Sequence, residues 1–153
     1  MTNEELIKTI SDWFPNVEFT EEGSQFLNVI VPKDSILEVA QKLKAEVSTS
    51  LDYMFSLTCV DWPDHFQMIY HLKSSEIGHM LVLKVKLEDK ENPEVETLCN
   101  TFKTADFHER EVYDLFGVKF LNHPDLRRLF LTDDWVGHPL RKDYVDEINI
   151  VSS

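Results

Sequence analysis

The order of apolar and polar positions divides the first ninety residues into helices and strands. Between Thr2 and Pro15 the apolar residues recur at helical spacing, and Thr2 with Glu5 forms a capping box at the start. A second stretch with helical spacing extends from Asp34 to about Glu46. Alternating or continuous apolar runs bounded by turn residues predict five strands, at about 17–19, 26–31, 51–60, 65–73 and 78–88.

The next part of the chain changes from regular to irregular patterning. Pro93 occupies the first position of a predicted helix that runs to about Lys103. Asp106 and Glu109 predict a second capping box, and the helix that follows ends at Gly117, because glycine readily adopts the left-handed conformation there. From residue 118 onward the helical period is lost and two His-Pro pairs interrupt the chain. We therefore expect residues 121–150 to be extended and largely irregular.

These patterns predict the α+β class: a single domain with a mixed or antiparallel sheet of about five strands packed by helices, followed by a long irregular tail. The domain is predicted over residues 1–120 and an extended interface tail over residues 121–153. A chain of 153 residues with 42% hydrophobic residues is long enough to build one core. No apolar run approaches the ~20 residues that a membrane span requires, and the start resembles neither a secretory nor a transit peptide.

Charge is distributed unevenly along the chain. The net charge of −13 argues against unaided binding to nucleic acid or to an anionic membrane surface. All four arginines nevertheless lie in the last third of the chain, together with Trp135 and Tyr144. Arginine suits planar, partly desolvated ion pairs, and aromatic residues anchor protein interfaces. The tail is therefore predicted to dock on a partner protein, and the alternative is a tail that folds back over its own domain.

Metal and redox chemistry find little support in residue spacing. Cys59 and Cys99 are forty positions apart, whereas iron–sulfur clusters and structural zinc need clustered thiolates. His108 and Glu109 begin an HExxH motif, but its second histidine is missing, and His123 and His138 add no recognisable ligand spacing. The sequence thus predicts no cofactor and no metal in this chain.

Catalytic carboxylates are the remaining enzymatic possibility. Glu109, Glu111 and Asp114 could act as general acids or bases, but Arg110 and Asp114 are four positions apart and predict an ordinary helix ion pair. An interfacial charge network is therefore the favoured interpretation. The alternative is a small hydrolase or metal enzyme that uses Glu109, His123 and His138. No nucleophile arrangement or phosphate-binding glycine loop accompanies these residues.

Three strings in the last third of the chain carry a resemblance to a known family: 108–118 (HEREVYDLFGV), 122–128 (NHPDLRR) and 137–144 (GHPLRKDY). Together they resemble the 30-kDa, C-type subunit of respiratory NADH:quinone oxidoreductase (complex I). The resemblance, together with the aromatic anchor Trp135 in the tail, implies interface roles for sixteen residues: Glu109, Arg110, Glu111, Asp114, His123, Pro124, Arg127, Arg128, Trp135, Gly137, His138, Pro139, Leu140, Arg141, Lys142 and Asp143.

The resemblance also implies a role for the whole chain. In that family the 30-kDa polypeptide belongs to the peripheral arm, carries no redox centre and packs beside the large D-type subunit and the subunit that holds the terminal iron–sulfur cluster. NADH, FMN, iron–sulfur clusters and quinone then belong to the assembled complex. The implied location is the cytoplasmic side of a bacterial inner membrane, through partner proteins. The equivalent subunit of a membrane-bound hydrogenase, or of a ferredoxin- or F420-type dehydrogenase, is the alternative.

Overall fold

The protein is described here by a computed structural model over residues 2–20, 26–126 and 137–141. The elements in chain order are helix α1 (Asn3–Trp13), strands β1 (Glu18–Thr20) and β2 (Leu27–Ile30), helix α2 (Ile36–Ala45), strands β3 (Tyr53–Asp61), β4 (Phe66–Lys73), β5 (Met80–Leu87) and β6 (Glu94–Glu96), helix α3 (Ala105–Phe116) and strand β7 (Lys119–Leu121). The predicted α+β class is confirmed.

Five strands form one mixed sheet in the order β1-β2-β5-β4-β3. The pair β2–β5 is parallel, and the other neighbours are antiparallel. Parallel strands need a long connection, which α2 and the β3–β4 hairpin provide here. Along β4 burial alternates, with Phe66, Met68, Tyr70 and Leu72 buried and their neighbours half-buried. Strand alternation places these four side chains on one face of the sheet, and that face holds the core.

The helices supply the other half of the core. Thr2 accepts a hydrogen bond from the Glu5 backbone N–H, as the first predicted cap requires, and α1 buries Leu6 and Ile10. Helix α2 begins after a 3₁₀ turn at Lys33–Ser35 and buries Ile36, Val39, Ala40 and Leu43. No helix in the described ranges is long and apolar enough to cross a membrane.

One predicted helix is wrong. Residues 94–96 form β6, which pairs in parallel with β7, and the Pro93 carbonyl accepts a hydrogen bond from Lys119 N–H. Pro93 is compatible with the start of a helix, but Val95 is buried in a strand and Leu98 and Phe102 are buried in the irregular chain that follows. Pairing with a strand that lies later in the sequence cannot be read from a local period.

The second predicted capping box is also wrong. Helix α3 begins at Ala105, so Asp106 already lies inside it, and Thr104 at the cap makes no side-chain capping bond. Glu109 turns into the protein instead of back to the helix start. At the other end Gly117 adopts φ +80°, which confirms the predicted left-handed exit.

Candidate functional site: helix α3 and the two His-Pro segments

Helix α3 carries four of the candidate residues that lie within the described ranges. It packs across β3 with its end beside β4. Phe116 meets the Phe66 ring edge-on, with centroids 6.2 Å apart. Glu111 lines a shallow pocket between α3 and β3, together with Leu115, Leu140 and other mainly apolar residues. The helix therefore lies on the core face of the sheet. Two different segments of the chain contact its two halves.

The first half of α3 contains a buried carboxylate. The Glu109 side chain is fully buried and accepts hydrogen bonds from the Thr97 hydroxyl and from Leu98 N–H, the latter at 2.8 Å. Burial raises the pKa of Glu109 to about 7, although these two hydrogen bonds act in the opposite direction. Glu109 therefore links α3 to the chain that leaves β6, inside this protein.

His123 lies beside that carboxylate. Its side chain is 0% exposed, and its Nε2 is 3.0 Å from Asp106 Oδ1 and 3.9 Å from Glu109 Oε1. The contact with Asp106 is short but not aligned as a hydrogen bond, so Nε2 is a buried nitrogen without a hydrogen-bond partner among the described residues. The other ring nitrogen, Nδ1, accepts from the Asp125 backbone N–H at 3.0 Å. The histidine side chain of the first His-Pro pair is thus part of the interior, whereas Pro124 is exposed.

The second His-Pro segment packs on the opposite end of α3. His138 Nδ1 donates to the Asp114 carbonyl at 2.9 Å, and Leu140 N–H donates to the Leu115 carbonyl at 2.9 Å. The last carbonyls of a helix have no partner within it. Residues 137–141 therefore complete the C-terminal end of α3 from a distant point in the chain.

Gly117 permits this contact in two ways. Its φ of +80° is a conformation that side-chain-bearing residues rarely adopt, and a Cβ built on it would lie 2.6 Å from His138 Cδ2. The His138 ring also rests against Tyr113, with centroids 5.8 Å apart. Gly117 therefore ends the helix and also leaves the space that the His138 ring occupies.

Arg141 is likewise engaged with its own domain. One guanidinium nitrogen donates to the Lys90 carbonyl at 2.7 Å, and the group lies 4.9 Å from the centre of the Phe66 ring. For residues 137–141 the fold-back alternative is what the structure shows. Leu140 remains 53% exposed, so this segment still presents an apolar side chain.

The other candidate residues divide into two groups. Asp114 is buried, Arg110 is half-buried with a buried Nε that has no hydrogen-bond partner in the described structure, and the predicted ion pair between these two residues is not formed there. Five predicted interface residues lie outside the described residues: Arg127, Arg128, Trp135, Lys142 and Asp143. Sequence reasoning missed Thr97 and Leu98, whose contacts with Glu109 depend on the β6–β7 pairing.

The geometry first defines a class of protein: a small α+β domain in which two His-Pro segments are tied to the two halves of one helix. The sequence model of the respiratory-chain NADH dehydrogenase 30 kDa subunit matches residues 29–148, which include that helix and both segments. The chain therefore belongs to the respiratory-chain NADH dehydrogenase 30 kDa subunit family.

Relatives of full length and fused relatives both occur. The chain is 39% identical over 142 residues to the C-type subunit of NADH-quinone oxidoreductase from Moorella thermoacetica, covering 91% of this chain and 93% of that one. It is 40% identical over 120 residues to the C/D-type subunit of Phocaeicola vulgatus, and the match covers 78% of this chain but only 23% of that longer one. It is 36% identical over 145 residues to the C-type subunit of F(420)H(2) dehydrogenase from Methanosarcina mazei, covering 91% and 89% of the two chains.

Solved structures share the fold. A chain of the archaeal membrane-bound sulfane sulfur reductase superposes with a TM-score of 0.80 at 27% identity, covering 95% of this chain and 87% of that one. A trypsin-resistant fragment (1–134) of Nqo5 superposes with a TM-score of 0.68 at 25% identity, covering 82% of this chain and all of the fragment. The mixed sheet packed by helices is therefore the fold of these relatives.

Proposed function

We propose that this chain is a non-redox structural subunit of the peripheral arm of a proton-translocating NADH:quinone oxidoreductase. It packs beside the quinone-site subunits and supports electron transfer from NADH to quinone without a catalytic site of its own. The observation that carries this proposal is the match to the Moorella thermoacetica relative over nine-tenths of both chains. The buried Glu109 and the half-buried His138 fit this role, because both are engaged in holding the domain together.

We infer that the large D-type subunit is the first partner, together with the subunit that holds the terminal iron–sulfur cluster. The relative from Phocaeicola vulgatus is named as a combined C/D polypeptide, so the counterparts of C and D are one chain there. Leu140 offers a contact point within the second His-Pro segment, because 53% of its surface remains exposed although its backbone is fixed to α3. Exposed apolar side chains held on rigid elements are typical of interface anchors.

The proposal for cofactors and location follows from the same role. NADH, FMN, iron–sulfur clusters and quinone are held by other subunits of the complex, and the two cysteines of this chain are too far apart in sequence for a cluster motif. The protein is peripheral, on the cytoplasmic side of a bacterial inner membrane, and partner proteins keep it there.

The test is a pull-down of the tagged native protein in mild detergent, with mass spectrometry and an NADH:quinone activity assay on the eluate. We expect the D-type, iron–sulfur and flavin subunits together with NADH-dependent activity. Leu140→Asp is expected to reduce recovery of these subunits at least ~10-fold. Placing a charge on a side chain that the partner buries in the complex costs more than about 1.4 kcal/mol of binding free energy. Val47→Asp is the matched control, because Val47 is 85% exposed and lies outside the predicted interface.

A second candidate is the equivalent subunit of a complex with another electron donor. The F(420)H(2) dehydrogenase relative and the sulfane sulfur reductase structure favour it. Recovery of the same core subunits without NADH-binding subunits, and activity with reduced F420 or ferredoxin instead of NADH, would select this candidate. Recovery of the chain alone would contradict both.

A further inference from the structure

Three side chains with different metal-binding chemistry meet where β6, α3 and β7 come together. Cys99 follows β6, Glu109 lies on α3 and His123 follows β7. A thiol sulfur, a carboxylate oxygen and an imidazole nitrogen from these residues lie within 4.8 Å of one another. They come from three separate elements, so their proximity is produced by the tertiary fold and not by a local motif.

Two observations indicate that this cluster is built around a ligand. His123 Nε2 belongs to a side chain that is 0% exposed, and it faces Asp106 and Glu109 without an aligned hydrogen bond to either. Glu109 is also fully buried, and its described hydrogen bonds come from the neutral groups Thr97 Oγ1 and Leu98 N. A buried carboxylate held only by neutral donors favours a cation or a proton beside it.

We propose that Cys99, Glu109 and His123 form a zinc site in this protein. Zinc takes thiolate, imidazole and carboxylate ligands in a tetrahedral shell. Magnesium and calcium prefer oxygen ligands alone, so the thiol selects against them. Because zinc has no redox chemistry, the site would stabilise the junction of the three elements and would not carry electrons.

The distances fit such a shell after a small adjustment. Ligand atoms about 2.0–2.3 Å from a tetrahedral zinc lie roughly 3.3–3.8 Å from one another. Glu109 Oε1 and His123 Nε2 are already 3.9 Å apart. The Cys99 side chain is partly exposed and can rotate toward them. Asp106 Oδ1 lies 3.0 Å from the same histidine nitrogen, and this carboxylate or a water molecule would complete the fourth position.

Outer contacts orient the buried ligand. The Thr97 hydroxyl and Leu98 N–H hold the two carboxylate oxygens of Glu109, leaving further lone pairs of these oxygens for a metal. Hydrogen bonds of this kind fix the direction of ligating carboxylates in known metal sites. The same backbone stretch carries Cys99, so one turn positions two of the ligands.

One contact must change when the metal binds. Nδ1 of His123 accepts from Asp125 N–H, so the proton of the neutral ring is on Nε2, where the metal would bind. Zinc binding moves that proton to Nδ1 and opens the Asp125 contact, which the exposed turn at Pro124 and Asp125 can accommodate. The Cys99 thiol also releases its proton. Zinc and protons therefore compete, and affinity is expected to rise with pH.

The test uses the full-length chain, reduced and freed of metal with a chelator, titrated with zinc in competition with a chromophoric chelator. We expect one zinc per chain and a rise in Tm when zinc is added. Cobalt in place of zinc is expected to give a thiolate-to-metal charge-transfer band together with the visible bands of a tetrahedral site. Magnesium and calcium are expected to shift neither signal.

The variants compare the two cysteines. Cys99→Ser and His123→Gln are expected to raise the Kd for zinc at least ~10-fold, and Cys99→Ser removes the cobalt charge-transfer band. Cys59→Ser is the control and is expected to leave both unchanged, because burial and the nearby Asp61 raise the pKa of the Cys59 thiol to about 12. Cys99 is partly exposed, so its variant is expected to fold even if His123→Gln does not.

Two results would overturn the zinc site. The first is the absence of stoichiometric binding to the folded wild-type chain, in which case a proton alone neutralises Glu109. The second is binding that survives Cys99→Ser unchanged, which would assign the zinc to other histidines or carboxylates.

Discussion

The two His-Pro pairs have the same two letters and opposite surroundings. The His123 side chain is fully buried beside two carboxylates, and its Nε2 has no hydrogen-bond partner among the described residues. His138 is half-buried and donates to a helix carbonyl at the other end of α3. His123 contacts carboxylate side chains of α3, whereas the second His-Pro segment completes backbone hydrogen bonds at the end of that helix. A short motif thus does not determine the role of its histidine.

The different surroundings of the two histidines also predict different losses of stability when their contacts are removed. Removing a partner from the first group leaves buried polar groups without hydrogen bonds, which costs about 1–3 kcal/mol for each group. The hydrogen bonds of the second group are only part-buried, so water can replace a lost partner more readily and the loss should cost less. Changes around Glu109 and His123 should therefore destabilise the isolated chain more than changes around His138 and Arg141.

The largest effect is expected from Glu109→Ala. Thr97 Oγ1 and Leu98 N–H would both lose their acceptor in a buried site, and a cavity would remain, so we expect about 3–4 kcal/mol lower free energy of unfolding. Urea unfolding followed by circular dichroism measures it. Glu111→Ala is the control, because Glu111 is only half-buried. Equal losses for the two variants would remove the distinction between the buried cluster and its surroundings.

The next effect is the pH dependence of stability in the metal-free protein. The folded-state pKa of Glu109, about 7, exceeds its ordinary value of 4.5, so the folded protein binds this proton more tightly than the unfolded chain does. The stabilisation from this group is full below pH 4.5 and is lost as pH rises through about 7. Urea unfolding at a series of pH values, with chelator present, measures the slope. Glu109→Gln is expected to reduce it, and an unchanged slope would exclude Glu109 as its source.

An intermediate effect is expected from Gly117→Ala. The alanine would carry both a left-handed φ, which costs about 1–2 kcal/mol, and a clash between its Cβ and the His138 ring. Gly78→Ala is the matched control, because Gly78 has φ +85° but no atom within 4 Å of the added Cβ. The excess loss of unfolding free energy in Gly117→Ala measures the contact with the second His-Pro segment. Equal losses would mean that this segment adds nothing measurable to stability.

The smallest effect is expected from Arg141→Ala in the isolated chain. The hydrogen bond to the Lys90 carbonyl and the contact with the Phe66 ring would be lost, together worth about 1–2 kcal/mol. Arg141→Lys keeps the charge but not the planar group, and it should recover only part of the loss. Thermal unfolding of the wild type, Arg141→Lys and Arg141→Ala measures whether stability falls in that order. If Arg141→Ala unfolds like the wild type but fails to assemble, Arg141 serves a partner and not its own domain.

Much of the fold follows from local patterns. Period and turn residues predicted α1, α2, α3 and the five strands of the main sheet, because burial of one face imposes spacings of 3.6 and 2 on the sequence. Gly117 was identified by the same reasoning, since a helix exit with positive φ favours glycine. The predicted boundary between residues 120 and 121 falls inside β7, and the two-part division of the chain stays a prediction.

Pairings between distant residues were decided by the tertiary structure. Residues 94–96 follow a proline that favours a helix start, but parallel pairing with 119–121 made them a strand. Glu109 occupies the sequence position of a capping residue, but its side chain accepts hydrogen bonds from two buried donors in the turn after β6. The residue types in the last third of the chain were nevertheless sufficient to indicate the family. Which of them face inward was decided by contacts between residues far apart in sequence, and those contacts leave no local period.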